Sequence, residues 1–248
     1  MTTRRAWRWV LLLGVAWCAL AGLYLYLRPT RGVPSTAYEA ANRAGVIYWH
    51  GRLDRKAVAL TFDDGPSVPY TEQLLEILDA NHVKATFFMI GRHVERHPAI
   101  ARRIVAEGHT VGNHSYSHPI YLYRSRASTE AELQRTQRVI VDATGIEARW
   151  ARPPGGVRTP AYFAATRRLR LPTVQWTASG FDWRQRTAES IVRSVMDDAA
   201  SGAIVLLHDG DAANRSDRKA TADAIAPLIT ALAGRGLTAA SLDQVIGA

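Results

Sequence analysis

Short apolar runs alternate with amphipathic stretches from about residue 46 to the C-terminus. Short apolar or β-branched runs predict strands at 57–62, 85–90, 109–113, 149–152, 172–176, 203–208 and 237–241. Between them, apolar residues recur at helical spacing over 70–80, 94–107, 128–143, 160–169, 187–200 and 218–234. Strand and helix in regular alternation predict a mainly parallel sheet with helices outside. About seven such units in ~200 residues suit a distorted, incomplete (β/α) barrel better than a complete eightfold one.

The N-terminus has a different pattern. Residues 9–27, WVLLLGVAWCALAGLYLYL, are uncharged and long enough for one membrane-spanning helix. Arg4, Arg5 and Arg8 precede it, which favours an inside N-terminus. Residues 1–28 are therefore expected to be an uncleaved anchor. The competing reading is a signal peptide cut after Ala21, where ALA supplies a small-x-small site. Both readings place the rest of the chain outside the cytoplasmic membrane. Residues 29–45, with Pro29, Gly32, Pro34 and Ser35, read as a linker, and 46–248 as one folded domain.

Composition narrows the class. With 248 residues, 47% of them hydrophobic, the chain can bury one core of ordinary size. The net charge of +9 raises the question of nucleic acid. Lysine occurs only at 56, 84 and 219, and the arginines are scattered without the interleaved aromatics of a strand-tracking groove. Nucleic acid is not expected, and no obligate protein partner is evident. Cys18 is the only cysteine, so neither an internal disulfide nor a cysteine nucleophile is available.

The chemistry sits where the strands end. TFDDGP follows the first predicted strand, and GNHSYSHP the third. RPPGG follows the fourth, WTASGFDW the fifth and LLHDG the sixth. In βα folds that rim carries the site. His114 and His118 are four apart, a spacing that puts both rings on one face of a helical turn. With one acid of the pair Asp63/Asp64 they make a two-histidine, one-carboxylate set suited to a catalytic divalent metal. Neighbours in an extended segment point apart, so the second acid can face the substrate. Isolated pairs are weaker signals. His93 and His97 share the spacing but read as surface residues on a helix, and Asp197-Asp198 as a solvated loop. His208 ends a buried strand, where a structural histidine is the alternative.

Taken in order, TFDDGP, HSYSH, RPPGG, DW and LLHD resemble the five motifs of the polysaccharide deacetylases, carbohydrate esterase family 4. The resemblance covers roughly residues 46–246. It implies metal-dependent removal of N-acetyl groups from a glycan. Asp64, His114 and His118 would hold one divalent ion, Zn2+ foremost, with Co2+ or another ion as alternatives. Asp63 would be the general base, oriented by Arg152. His208 would be the general acid, with its pKa raised by Asp182. Trp183 and Leu206 would wall the acyl pocket, and the backbone N–H near Gly155 would face the oxyanion. Two positions depart from the family pattern. Gly155 stands where an aromatic residue is common, and Ser179 where a further Asp is common. A lipid-linked sugar or another amide is the alternative substrate, and a non-catalytic glycan-binding domain a more distant one.

If residues 9–27 form an uncleaved anchor, the protein fractionates with the cytoplasmic membrane, and protease added outside that membrane digests the domain. N-terminal sequencing that finds a mature chain beginning at Gly22 would establish cleavage and secretion instead.

Overall fold

A computed structural model describes residues 47–184 and 187–247. The anchor expected at 9–27 and the linker expected at 29–45 lie outside the described residues. Among those residues no helix is long and apolar enough to cross a membrane.

All seven expected strands form, with two more. The strands are β1 (Ile47–Tyr48), β2 (Ala57–Asp63), β3 (Thr86–Met89), β4 (Thr110–Asn113), β5 (Trp150–Ala151), β6 (Thr173–Val174), β7 (Ala178–Ser179), β8 (Ile204–His208) and β9 (Thr238–Ala240). They pair in parallel in the order β1-β6-β5-β4-β3-β2-β8-β7, with β9 against the start of β2. β6 and β7 stand towards opposite ends of this order, yet only residues 175–177 separate them. Four peptide steps reach at most about 14 Å. The two ends of the sheet must therefore come together, and the sheet curls into a distorted, incomplete barrel.

The helices are α1 (Tyr70–Ala80), α2 (Gly91–Arg96), α3 (Pro98–Ala106), α4 (Arg126–Thr144), α5 (Pro160–Arg168), α6 (Ala188–Asp198), α7 (Lys219–Gly234) and α8 (Leu242–Ile246). The single helix expected over 94–107 is two. Pro98 disfavours helical backbone at His97, which sits at φ −129°, ψ 55°, and then opens α3 as its first residue. β1 and α8 escape the periodicity analysis because they are too short to show a period. Ser241 and Gln244 nevertheless make a capping box at the start of α8, a signature visible in the sequence.

β2 is buried on both faces, as a central parallel strand is. Val58, Leu60 and Phe62 join the layer that also holds Leu74, Leu75 and Leu78 of α1. Ala59 faces the other way, into a cluster with Phe88, Trp150, Val174, Ile204, Leu242 and Val245. β8 divides the same way, with Val205 and Leu207 in the first layer and Ile204 in the second. α8 thus plugs the floor of the barrel. The strict alternation of a strand then sets Asp63 and His208 on the interior face, at the opposite, carboxyl end. The register makes them direct neighbours.

Leu242 is fully buried in that floor. Leu242→Ala is expected to lower unfolding free energy by about 2–5 kcal/mol in chemical denaturation. An unchanged midpoint would mean that α8 does not seal the barrel.

Candidate active site

Asp63 is the last residue of β2, and the chain turns at the next one. Asp64 is left-handed, at φ 80°. The two carboxylates do diverge, but through this turn and not through the extended backbone expected from sequence. A non-glycine residue there costs about 1–3 kcal/mol and persists only where its surroundings enforce it. They do so here: Asp64 N–H donates to Phe88 O at 3.2 Å, and Ile90 N–H donates to Gly65 O at 2.9 Å.

Asp63 belongs to Arg152. The guanidinium Nη1 lies 2.8 Å from Asp63 Oδ1 and 2.7 Å from Thr61 Oγ1, and Nη2 donates to Gln175 O at 3.2 Å. The Arg152 side chain is fully buried and stacks 4.1 Å over the Phe88 ring. Burial depresses the Arg152 pKa, and Asp63 works against that shift. Removing either partner would strand the other charge in the interior.

His114 and His118 follow β4 in a loop. The helical turn expected from their spacing does not form, because Ser115 (φ 67°) and His118 (φ 58°) are both left-handed. Polar side chains hold the loop. Asn113 Oδ1 accepts from Ser115 N–H at 3.0 Å, and the Glu132 carboxylate of α4 accepts from the N–H groups of Tyr116 and Ser117. Both rings turn to Asp64, with Nε2 at 3.3 Å (His114) and 3.1 Å (His118) from Oδ1.

Donor chemistry tests whether a metal fits. His114 Nδ1 donates to Arg152 O at 2.7 Å, so its Nε2 carries a lone pair when the ring is neutral. That lone pair faces a buried carboxylate oxygen that lacks a proper hydrogen-bond donor. Ligand atoms of Asp64, His114 and His118 all lie within 4.8 Å of one another. Burial opposes charge on His114, yet Asp63 and Asp64 outweigh it and raise its proton affinity. Burial likewise opposes ionisation of Asp64, but the two histidines hold its carboxyl well below the ordinary range. The cluster attracts positive charge, and the three donors fit a divalent cation.

His208 closes the site. Its Nδ1 donates to Asp182 Oδ1 at 2.8 Å, while Asp182 Oδ2 accepts from His208 N–H at 2.8 Å and from Thr221 Oγ1 at 2.9 Å. Burial disfavours the imidazolium, but the Asp182 carboxylate prevails and the pKa rises to about 9. For Asp182, burial pushes upward and His208 pulls the carboxyl below its ordinary value. The arrangement offers a cation site, a buried carboxylate held by arginine and a protonated imidazole, all at one mouth.

Residues 50–174 match the family described as polysaccharide deacetylase. A peptidoglycan-N-acetylglucosamine deacetylase of Bacillus cereus is 35% identical over 210 residues, covering 82% of this chain and 93% of that protein. The chain belongs to the polysaccharide deacetylase family. It is a hydrolytic carbohydrate N-deacetylase. A chitooligosaccharide deacetylase of Rhizobium leguminosarum bv. trifolii is 36% identical over 198 residues, 77% of this chain and 92% of that one. Among solved structures, BA3943 of Bacillus anthracis, described as a carbohydrate esterase family 4 pseudoenzyme, superposes with a TM-score of 0.74 at 31% identity, covering 82% of this chain and 69% of that one.

The other expected residues of this deacetylase also lie on the rim. Trp183 is 42% exposed, with its ring edge-on to His208 at 5.4 Å. Leu206 is buried one interior step below His208 on β8. Gly155 is left-handed (φ 59°), and a Cβ there would meet Ile120 Cδ1 at 3.4 Å. Ser179, in place of an acid, is buried in β7.

Two expectations are corrected. His93 is fully buried, because the first turn of α2 is wedged against both ligand loops. Asp197 and Asp198 close α6 instead of lying in a loop. Sequence reasoning also passed over Asp209. It is buried beside His208, accepts from Thr71 Oγ1 at 2.6 Å, and has a pKa raised by burial to about 7. Its neighbour Gly65 gave the signal, since a Cβ there would fall 1.9 Å from Asp209 Oδ2.

The His208 ring should titrate near 9 by NMR in metal-free protein, and a bound dication should lower that value. Asp182→Asn removes the carboxylate that stabilises the imidazolium, so the pKa should fall toward ~6.5. A His208 titration that Asp182→Asn leaves in place would contradict the assignment.

Proposed function

We propose that the protein removes N-acetyl groups from N-acetylglucosamine units of a cell-wall glycan, outside the cytoplasmic membrane. The substrate reading rests on the two deacetylase relatives, whose names give peptidoglycan N-acetylglucosamine and chitooligosaccharides as the substrates. The observation that carries the mechanism is the division of the acidic pair, Asp64 turned to two imidazoles and Asp63 to Arg152. An anchored domain suits a wall polymer. A lipid-linked sugar is the second substrate for the same machinery.

Amide hydrolysis needs a polarised carbonyl, an activated water and a proton for the departing amine. A divalent ion held by Asp64, His114 and His118, zinc foremost, would polarise the acyl oxygen and acidify water. Asp63 takes the proton from the attacking water, and Arg152 keeps that carboxylate oriented. His208 delivers a proton from Nε2 to the amine, while Asp182 holds Nδ1 and stabilises the imidazolium. Trp183 and Leu206 wall the acyl methyl, and the N–H near Gly155 faces the developing oxyanion. The pseudoenzyme relative is a reminder that the scaffold alone does not make a catalyst. Here Asp63, Arg152, Asp182 and His208 stand on the same rim as the three proposed ligands, which supports the catalytic reading.

Acetate release by the full chain from N-acetylglucosamine polymers should disappear with a chelator and return with added metal. Asp63→Asn should keep the ion yet lose about 10²–10⁴-fold in kcat. Asp64→Asn should lose the ion itself. Equal loss of metal in both variants would refute the division of roles, and full activity without metal would refute the metal.

A further inference from the structure

α2 joins the two loops that carry the ligands. Ile90 N–H, just before it, donates to Gly65 O at 2.9 Å on the acid loop. Gly91 N–H donates to Ser115 O at 3.0 Å and Arg92 N–H to Tyr116 O at 3.1 Å on the histidine loop. The next residue, His93, is fully buried, and its Nδ1 lies 2.8 Å from Asp64 O. A carbonyl can only accept, so Nδ1 carries the hydrogen. Nε2 is then a lone pair, and it is buried without a hydrogen-bond partner among the described residues.

An imidazole is a poor choice merely to fill this space, because an apolar side chain would leave no unsatisfied nitrogen. The useful feature is the Nδ1–H. It grips the carbonyl of a residue held at φ 80°, whose carboxylate meets both imidazoles in that conformation. The backbone of Gly210 also packs against this carbonyl, so closely that a Cβ there would lie 2.8 Å from Asp64 O.

We propose that His93 is a positioning residue for the metal site: its Nδ1–H fixes the left-handed backbone that aims Asp64 at His114 and His118. The inference rests on the reading of those three residues as the ligands. His93 touches neither substrate nor ion.

The test compares His93→Leu, His93→Asn and His93→Gln in the full chain. Zn2+ affinity is read by competition with a chromophoric chelator, and folding by the thermal midpoint of the metal-free protein. The amide nitrogen of asparagine stands where Nδ1 stands, whereas that of glutamine lies one bond further out. His93→Leu and His93→Gln should bind Zn2+ about 10–100-fold more weakly, and His93→Asn should recover most of the loss. Saturating Zn2+ should restore kcat in His93→Leu with KM for the glycan unchanged. Wild-type affinity in His93→Leu, or equal weakening in Asn and Gln variants of matched thermal midpoint, would overturn the role of His93. Should the wild-type chain itself bind no Zn2+, the ligand reading would fall and the inference with it.

Discussion

Arg152 is the residue on which the site depends. Its guanidinium, without solvent exposure, holds Asp63, Thr61 and the carbonyl of Gln175. Its own carbonyl fixes the tautomer of His114. One residue thereby constrains the proposed base through its side chain and a proposed ligand through its backbone. A buried ion pair adds little net stability, because desolvation cancels much of the attraction. Its value here is placement. The pair turns Asp63 Oδ1 to Arg152 and leaves Oδ2 at 3.8 Å from His114 Nε2, further out than Asp64 Oδ1 at 3.3 Å.

The rest of the geometry follows from parallel strands. Register puts Asp63 beside His208, and strand alternation turns both inward. Arg152 enters from the end of β5, and Asp182 lies just beyond β7. Each carboxylate at the mouth has a positive counterpart: Arg152 for Asp63, His208 for Asp182, and the proposed ion for Asp64. Asp209 is the exception. It accepts from Thr71, and burial raises its pKa to about 7.

The sequence made the strands and the rim legible because both depend on local signals. Apolar runs marked the strands, and each polar cluster began where a run stopped. Left-handed backbone was not legible at Asp64, Ser115 or His118, since none is glycine and the conformation is enforced by distant partners. The four-residue spacing of His114 and His118 suggested a helical turn, whereas Asn113 and Glu132 support a loop. His93 was misplaced at the surface for the same reason. Helical periodicity cannot reveal that the first turn of α2 is pressed between two ligand loops. Pro98 could have revealed the break in the helix expected over 94–107.

The central claim is that one acid holds the ion while its neighbour, gripped by Arg152, stays free as the base. Anomalous diffraction at the zinc edge from crystals of the zinc-loaded protein tests it most directly. The account predicts one ion within bonding distance of Asp64, His114 and His118, with Asp63 still paired to Arg152 and outside that distance. An ion bound by Asp63, or one seated away from the two histidines, would contradict it.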